Sequence, residues 1–209
     1  MPKQQWKPGT MIYPLPAVLV SCGDTRLGFN IITIAWTGTL CTNPPMCYIS
    51  VSPKRYSHAL IKTTGDYVIN LTTRALAPAT DWCGVQSGRD KDKFKEMALT
   101  PEKAQIVSAP LIAESPLNIE CRVREIVPLG SHDMFISDVV AVNAEAQLMN
   151  PHTGAFQLSH ADPICYVHGR YYQLGRMLGT FGFSVRKKKK PSGAGHRTQS
   201  RPKFPRGSR

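Results

Sequence analysis

Hydrophobic and polar positions alternate along much of this chain, and the alternation predicts strands more often than helices. Ala17 to Cys22 is a short apolar run bounded by Pro16 and Gly23, which predicts a strand. The turn GDTRLG follows. Asn30 to Leu40 (NIITIAWTGTL) is rich in β-branched residues and predicts one continuous strand. Asn43-Pro44-Pro45 ends it, because proline has no N–H to give a sheet ladder. Met46 to Ser52 alternates and predicts another strand. Then the period changes. Tyr56, Ala59, Leu60 and Thr63 recur at helical spacing, and Gly65 supplies the stop. Tyr67 to Leu71 returns to a β pattern. Thr73 to Cys83 reads as a short helix capped by Thr73 and closed by Gly84, with Pro78 awkward inside it. Asp90 is placed to cap a second short helix over DKFKEM. Asn118 to Val127 and Met134 to Val142 flank the turn PLGSHD and predict a hairpin. Ile164 to His168 and Phe181 to Val185 complete the expected strands.

Short strands interrupted by short helices suit a mainly β fold, an antiparallel barrel with helical insertions. They do not suit a parallel βαβ sheet. Neither G-x-G-x-x-G nor a P-loop occurs, so the common nucleotide-binding signatures are missing. The 209 residues, 42% hydrophobic, are enough for one core-bearing domain, and 17 prolines with 16 glycines fit a fold rich in turns. No apolar run approaches the roughly 20 residues that span a bilayer. The first ten residues lack the apolar stretch of a signal peptide. The expectation is a cytoplasmic protein with no membrane contact. The six cysteines form no C-x-x-C pair, so free thiols are expected and no metal site.

Charge changes this picture at one end only. The net charge is +12. Ten of the 26 Lys and Arg lie in residues 186–209, which hold no Asp or Glu. That leaves 16 basic against 14 acidic residues in the body. The expected organisation is a folded domain over 1–185 and a basic disordered tail over 186–209.

Four segments offer candidate chemistry. In the Asn30 strand, Ile31, Thr33, Ala35, Thr37 and Thr39 would share one face, small and hydroxyl-bearing. Such a face can bed a flat ring, and it is equally what β propensity gives an ordinary buried strand. In SPKRYSHAL, Ser52 leads to a helix start with Arg55, Tyr56 and Ser57. Free helix N–H groups, an arginine and a hydroxyl suit a phosphate; a solvated surface helix would look the same. In CGVQSGRDKDKF, Gly84, Ser87 and Gly88 permit a tight loop ringed by Arg89, Lys91 and Lys93, able to clasp an anion or simply to face water. In GSHDMF, His132 sits at a hairpin turn, either a proton donor near neutral pH or an incidental turn residue. Tyr171-Tyr172 reads as a packed aromatic corner, and Cys83 beside Trp82 as a buried thiol.

Taken in order, NIITIAWTGTLCTNPPMCYISVSPKRYSHALI, GDYVINL, DWCGVQSGRDKDKF, LIAESPLNIECRV and PLGSHDMF resemble the flavin reductase family, and more narrowly its flavoredoxin-like branch. The resemblance spans about residues 10–186. It implies the FMN-binding split barrel, a Greek-key antiparallel β-barrel working as a homodimer, with FMN in a groove near the subunit interface. It implies that Asn30, Thr33, Ala35, Trp36 and Thr37 line the isoalloxazine and ribityl chain. Arg55, Tyr56 and Ser57, with Ser52 just before them, would hold the phosphate. Lys93 would close over the flavin, with Ser87 and Gly88 adding backbone contacts. His132 would be the catalytic residue near the nicotinamide or the flavin face.

The activity so implied is hydride transfer from NAD(P)H to flavin. The alternative within the family is a flavoredoxin-type carrier that exchanges electrons with protein redox partners. A split-barrel relative that oxidises pyridoxine phosphate or binds haem fits the SGRDKDKF loop less well. A nucleic-acid-binding module acting through the tail is the alternative from another class. The nearly neutral body argues against it.

Overall fold

The computed structural model describes residues 1–186, so the basic tail, except Arg186, lies outside the described residues. The chain divides into two units, Met1–Leu174 and Gly175–Arg209. Within the described part of the second unit, Phe183–Val185 forms a 3₁₀ turn. The strand expected over Phe181 to Val185 is not formed, because Gly182 takes the left-handed conformation (φ 78°), which breaks an extended run.

The first unit is mainly β. Its strands are β1 (Leu15–Pro16), β2 (Val18–Asp24), β3 (Gly28–Ile34), β4 (Thr37–Thr42), β5 (Pro45–Val51) and β6 (Asp66–Leu71). They continue as β7 (Pro101–Glu102), β8 (Leu111–Ile112), β9 (Leu117–Pro128), β10 (Asp133–Ala144), β11 (Ile164–Val167) and β12 (Arg170–Gln173). The helices are α1 (Tyr56–Thr64), α2 (Ala77–Val85) and α3 (Lys93–Glu96).

Seven strands form one antiparallel sheet in the order β3-β2-β6-β9-β10-β5-β4. The edge strands β3 and β4 are joined only by Ala35 and Trp36. Three peptide steps reach about 10 Å at most, so the two edges of the sheet must meet there. The sheet therefore rolls up, and β3 and β4 part without pairing: a split barrel. The continuous strand expected over Asn30 to Leu40 is thus two strands. The Trp36 carbonyl accepts from Ser50 N–H at 2.9 Å and pins the link to β5.

Alternation along the strands sorts the core. Val18, Val20, Ile32, Ile34, Ile49, Tyr67, Ile69, Cys121 and Phe135 point into the barrel, where Leu60 and Ile61 of α1 join them. Leu19 and Ile31 point the other way, against Leu76, Ala79 and Cys83 near α2 and Phe94 of α3. Strand β2 is therefore buried on both faces, which is why its sequence is a run of apolar residues and does not alternate.

Local chemistry sets the helix ends, and two expectations need correcting. Leu76, not Thr73, is the N-cap of α2, and Pro78 falls in its first turn, where a missing N–H costs nothing. Asp92, not Asp90, caps α3 by accepting from Lys95 N–H at 3.2 Å. Gly65 ends α1 in the left-handed conformation, as expected. All six cysteines are free.

One loop is fastened by carboxylates. Glu120, fully buried on β9, accepts from the N–H groups of Gln105, Ile106 and Val107 and from Asn143 Nδ2. Asp66 accepts from Ser108 N–H, its hydroxyl, and Ala109 N–H. Burial pushes the Glu120 carboxyl up, but these hydrogen bonds outweigh it and hold it below the usual glutamate value.

Candidate flavin site

Two cavities adjoin at the seam of the barrel. The larger, about 400 Å³, is lined by Ile32–Trp36, Ser50–Ser52, Arg55, His132 and residues of α2, β11 and β12. The smaller, about 130 Å³, is lined by Asn30, Ile32, Lys54–Ser57, Gln86–Gly88 and Lys93. They share Ile32 and Arg55, so they form one groove with a narrow inner end.

The narrow end is built for an anion. Helix α1 begins there with Arg55 as N-cap, and no side chain caps its first turn. An arginine has no acceptor to offer, so the positive end of the helix opens on the niche. Ser57 is buried and accepts from Asn30 Nδ2 at 2.7 Å. Gly88 passes so close that an added Cβ would sit 2.0 Å from Asn30 Oδ1. Lys93 is only 3% exposed, and its ammonium donates to the Cys83 carbonyl at 2.7 Å. Burial pushes Lys93 below the ordinary lysine value, and the nearby Arg55 guanidinium adds to the effect. Two cations and an uncapped helix start therefore face one small space, an arrangement that a bound phosphate would neutralise.

The wide end is flatter and more open, with a lining of mixed polarity. Ile32, Ile34, Ala35 and Trp36 line it on one side. The β11–β12 hairpin brings Tyr166, Gly169 and Tyr171, and α2 brings Asp81, Gly84 and Val85. Tyr166 and Tyr171 pack edge to face with centroids 5.5 Å apart. Burial raises the Tyr171 phenol to about 12, and the Asp81 carboxylate adds to that rise. Burial raises the Cys83 thiol to about 11, which keeps it protonated near neutral pH.

The structure brings together most of the residues singled out in the sequence. Thr33, Ala35, Trp36, Ser52, Arg55 and His132 line the wide end. Asn30, Arg55, Tyr56, Ser57, Ser87, Gly88 and Lys93 line the narrow end. Thr37 lines neither; its hydroxyl donates to the Tyr48 carbonyl at 2.6 Å. The Thr33 hydroxyl likewise donates to Thr80 O in α2. Thr33 and Thr37 thus spend their hydroxyl protons on the protein itself.

Sequence reasoning missed three features. Tyr171, read as a packed corner, does pack with Tyr166 but also lines the groove. Arg89 and Lys91, expected beside Lys93, lie in a separate groove outside the niche. His58 Nε2 bonds Asp133 Oδ2 at 2.8 Å in a mostly buried pair, tying the first turn of α1 to the base of the His132 turn. Among the described residues no cluster of His, Cys, Asp and Glu could hold a metal, and no helix is long and apolar enough to cross a membrane.

Solved structures share this fold. The chain is similar to flavoredoxin of Desulfovibrio vulgaris (Miyazaki F), with 27% identity, 88% of this chain and all of that one covered, and a TM-score of 0.81. It is similar to flavoredoxin from Methanosarcina acetivorans at 25% identity, with 89% and 100% covered and a TM-score of 0.80. Among curated proteins, the reductase component of a 4-nitrophenol 4-monooxygenase/4-nitrocatechol 2-monooxygenase from Rhodococcus opacus is 26% identical over 66% of this chain and 64% of its own length. The family model for the flavin reductase like domain matches residues 10–175, nearly the whole of the first unit. With that match and this split barrel, the chain belongs to the flavin reductase family, on its flavoredoxin-like side.

Proposed function

We propose that this protein is an FMN-binding oxidoreductase that takes hydride from NAD(P)H. The observation that supports it most is the narrow niche, where buried Lys93 and exposed Arg55 face the open start of α1. A phosphate there would leave its flavin ring over Ile34, Ala35 and Trp36 in the wide end. The residues present fit the group: a small cationic niche adjoins a flatter groove floored by Ile34, Ala35 and Trp36.

The flavin supplies the hydride and electron chemistry when bound. The chain's own residues bind and orient. Asn30 fixes the Ser57 hydroxyl, and Gly88 keeps the loop close. Tyr166 and Tyr171 wall the ring site from water on one side. His132, at the rim, is placed to hydrogen-bond a donor or hold a proton near the exposed ring face. A homodimer belongs to this reading, supported by the exposed Met11, Ile12 and Leu40.

The fit to the flavoredoxins, each covered over its full length, favours one second reading. In it the FMN exchanges electrons with protein partners and never meets a nicotinamide. An absorption spectrum of the purified protein with added FMN tests the common part: a perturbed flavin spectrum is expected, and an unperturbed one overturns both readings. Anaerobic NADH and NADPH then separate them. Bleaching supports the reductase; a flavin that stays oxidised overturns it.

A further inference from the structure

One residue holds both ends of the segment that lines the niche. The Asp133 backbone pairs with Val51 at the end of β5. Its carboxylate bonds the His58 ring in the first turn of α1, 2.8 Å away. Between these two points run residues 52–57, which carry Arg55, Tyr56 and Ser57. Asp133 therefore closes that segment into a loop, and it is also the chain neighbour of His132. Neither His58 nor Asp133 lines the groove itself.

The closure is firm. The His58 and Asp133 side chains are 10% and 17% exposed, and Phe135 packs edge-on against the His58 ring with centroids 5.2 Å apart. Separating a buried hydrogen-bonded pair leaves both groups unsatisfied, so the two elements move together. Adjacent residues of α1 face opposite ways. Ser57 Oγ accepts from Asn30 in the niche, and His58 turns to Asp133. The His58 N–H is taken by the Arg55 carbonyl at 3.0 Å, so Tyr56 and Ser57 supply the open N–H groups of the helix start. An anion that draws on these groups pulls on the turn that holds His58. At the far end, the one hydrogen bond of the His132 ring among the described residues is to Ser131 in its own turn, at 3.0 Å. Its setting therefore follows the turn that Asp133 anchors.

We infer that the His58–Asp133 pair is a clasp that carries occupancy of the niche to His132, so that the flavin phosphate sets His132 against the ring as well as anchoring the flavin. The inference rests on the flavin reading of the groove. His58 and Asp133 are positioning residues: the coupling runs through one buried hydrogen bond and one peptide link.

Titration of the flavin-free full-length protein with inorganic phosphate tests it without turnover. The His132 ring Cε1–H signal, identified in NMR spectra by its loss in His132→Ala, is expected to shift saturably as phosphate fills the niche. The Ser57 amide signal reads phosphate binding separately. In His58→Ala and Asp133→Ala the Ser57 signal should still move and the His132 signal should not. His58→Gln, which can present an amide N–H where Nε2 stood, should restore the response. A His132 signal that ignores bound phosphate in the wild type, or that responds equally in the alanine variants, overturns the clasp. Phosphate that leaves Ser57 unmoved overturns the niche and the clasp together. Where the alanine variants lose the wild-type circular dichroism, a comparison within the wild type decides. At saturation, NAD(P)H should bleach bound FMN about tenfold faster than bound riboflavin, which lacks the phosphate. Equal rates overturn the clasp. A flavin that stays oxidised with both donors overturns the reductase reading instead, and the phosphate titration still decides the clasp.

Discussion

Trp36 and His132 face each other across the mouth of the groove, with ring centroids 4.6 Å apart and planes tilted by 48°. Trp36 comes from the link between the two edge strands, and His132 from the β9–β10 turn, where Ser131 Oγ lies 3.0 Å from its Nδ1. In the proposed reading the pair would lie where a flavin ring is open to a second molecule. His132→Ala is expected to slow flavin reduction by NAD(P)H by about 10- to 100-fold while FMN affinity changes little. Stopped-flow bleaching and a flavin titration check the two halves separately. Equal loss in both would make His132 a binding residue only.

Lys93→Met removes a buried cation from the niche. FMN affinity is expected to fall by about 30- to 100-fold, the ~2–3 kcal/mol of a charge-assisted contact. Riboflavin, which has no phosphate, should bind the mutant and the wild type alike. A matching loss for riboflavin would place Lys93 in general packing.

The same lysine predicts a pH dependence. Burial and Arg55 lower its proton affinity, and a bound phosphate would restore it. Binding FMN should therefore take up a proton, and affinity should fall as pH rises, beginning below the ordinary lysine value of 10.5. Titrations from neutral pH upward read this directly; Lys93→Met should flatten the upper part of the curve.

Gly88→Ala places a methyl group against the Asn30 amide, 2.0 Å from its oxygen. Either the loop or Asn30 must move, and the Asn30–Ser57 hydrogen bond goes with it. FMN affinity is expected to drop about tenfold, ~1.4 kcal/mol. A larger residue at Gly175, where an added Cβ meets nothing within 4 Å, is the control and should leave affinity unchanged.

Glu120 predicts where acid weakens the fold. Its folded proton affinity lies below the unfolded value, so its contribution is complete above the unfolded pKa. The contribution is lost as pH falls from there through the lower folded value. Glu120→Gln should cost about 2 kcal/mol near neutrality and make the remaining stability less sensitive to acid. Denaturant curves at neutral and acid pH compare the two proteins.

How much of this was legible in the sequence depends on how local each cause is. The α1 start, its Gly65 stop and the hairpin around His132 follow from neighbouring residues, and they were read correctly. The niche was legible because Arg55, Ser57, Gly88 and Lys93 lie in short recognisable segments. The break at Ala35–Trp36 was not, since both flanking stretches favour strand and only the closure of the sheet separates them. Tyr171 and the His58–Asp133 pair were hidden for a similar reason. Their partners lie on distant strands, and no local period reports where a strand will dock. Pro78 misled because its cost depends on where the helix begins, which tertiary packing decides.

The Ala35–Trp36 link joins the two rims of the rolled sheet and also lines the groove. Any change in its length therefore alters the circumference of the barrel and the floor of the groove together. Reshaping the groove by insertion or deletion is expected to be closed at this position. It remains open in the β9–β10 turn and the β11–β12 hairpin, which overhang the same groove without holding the barrel's girth.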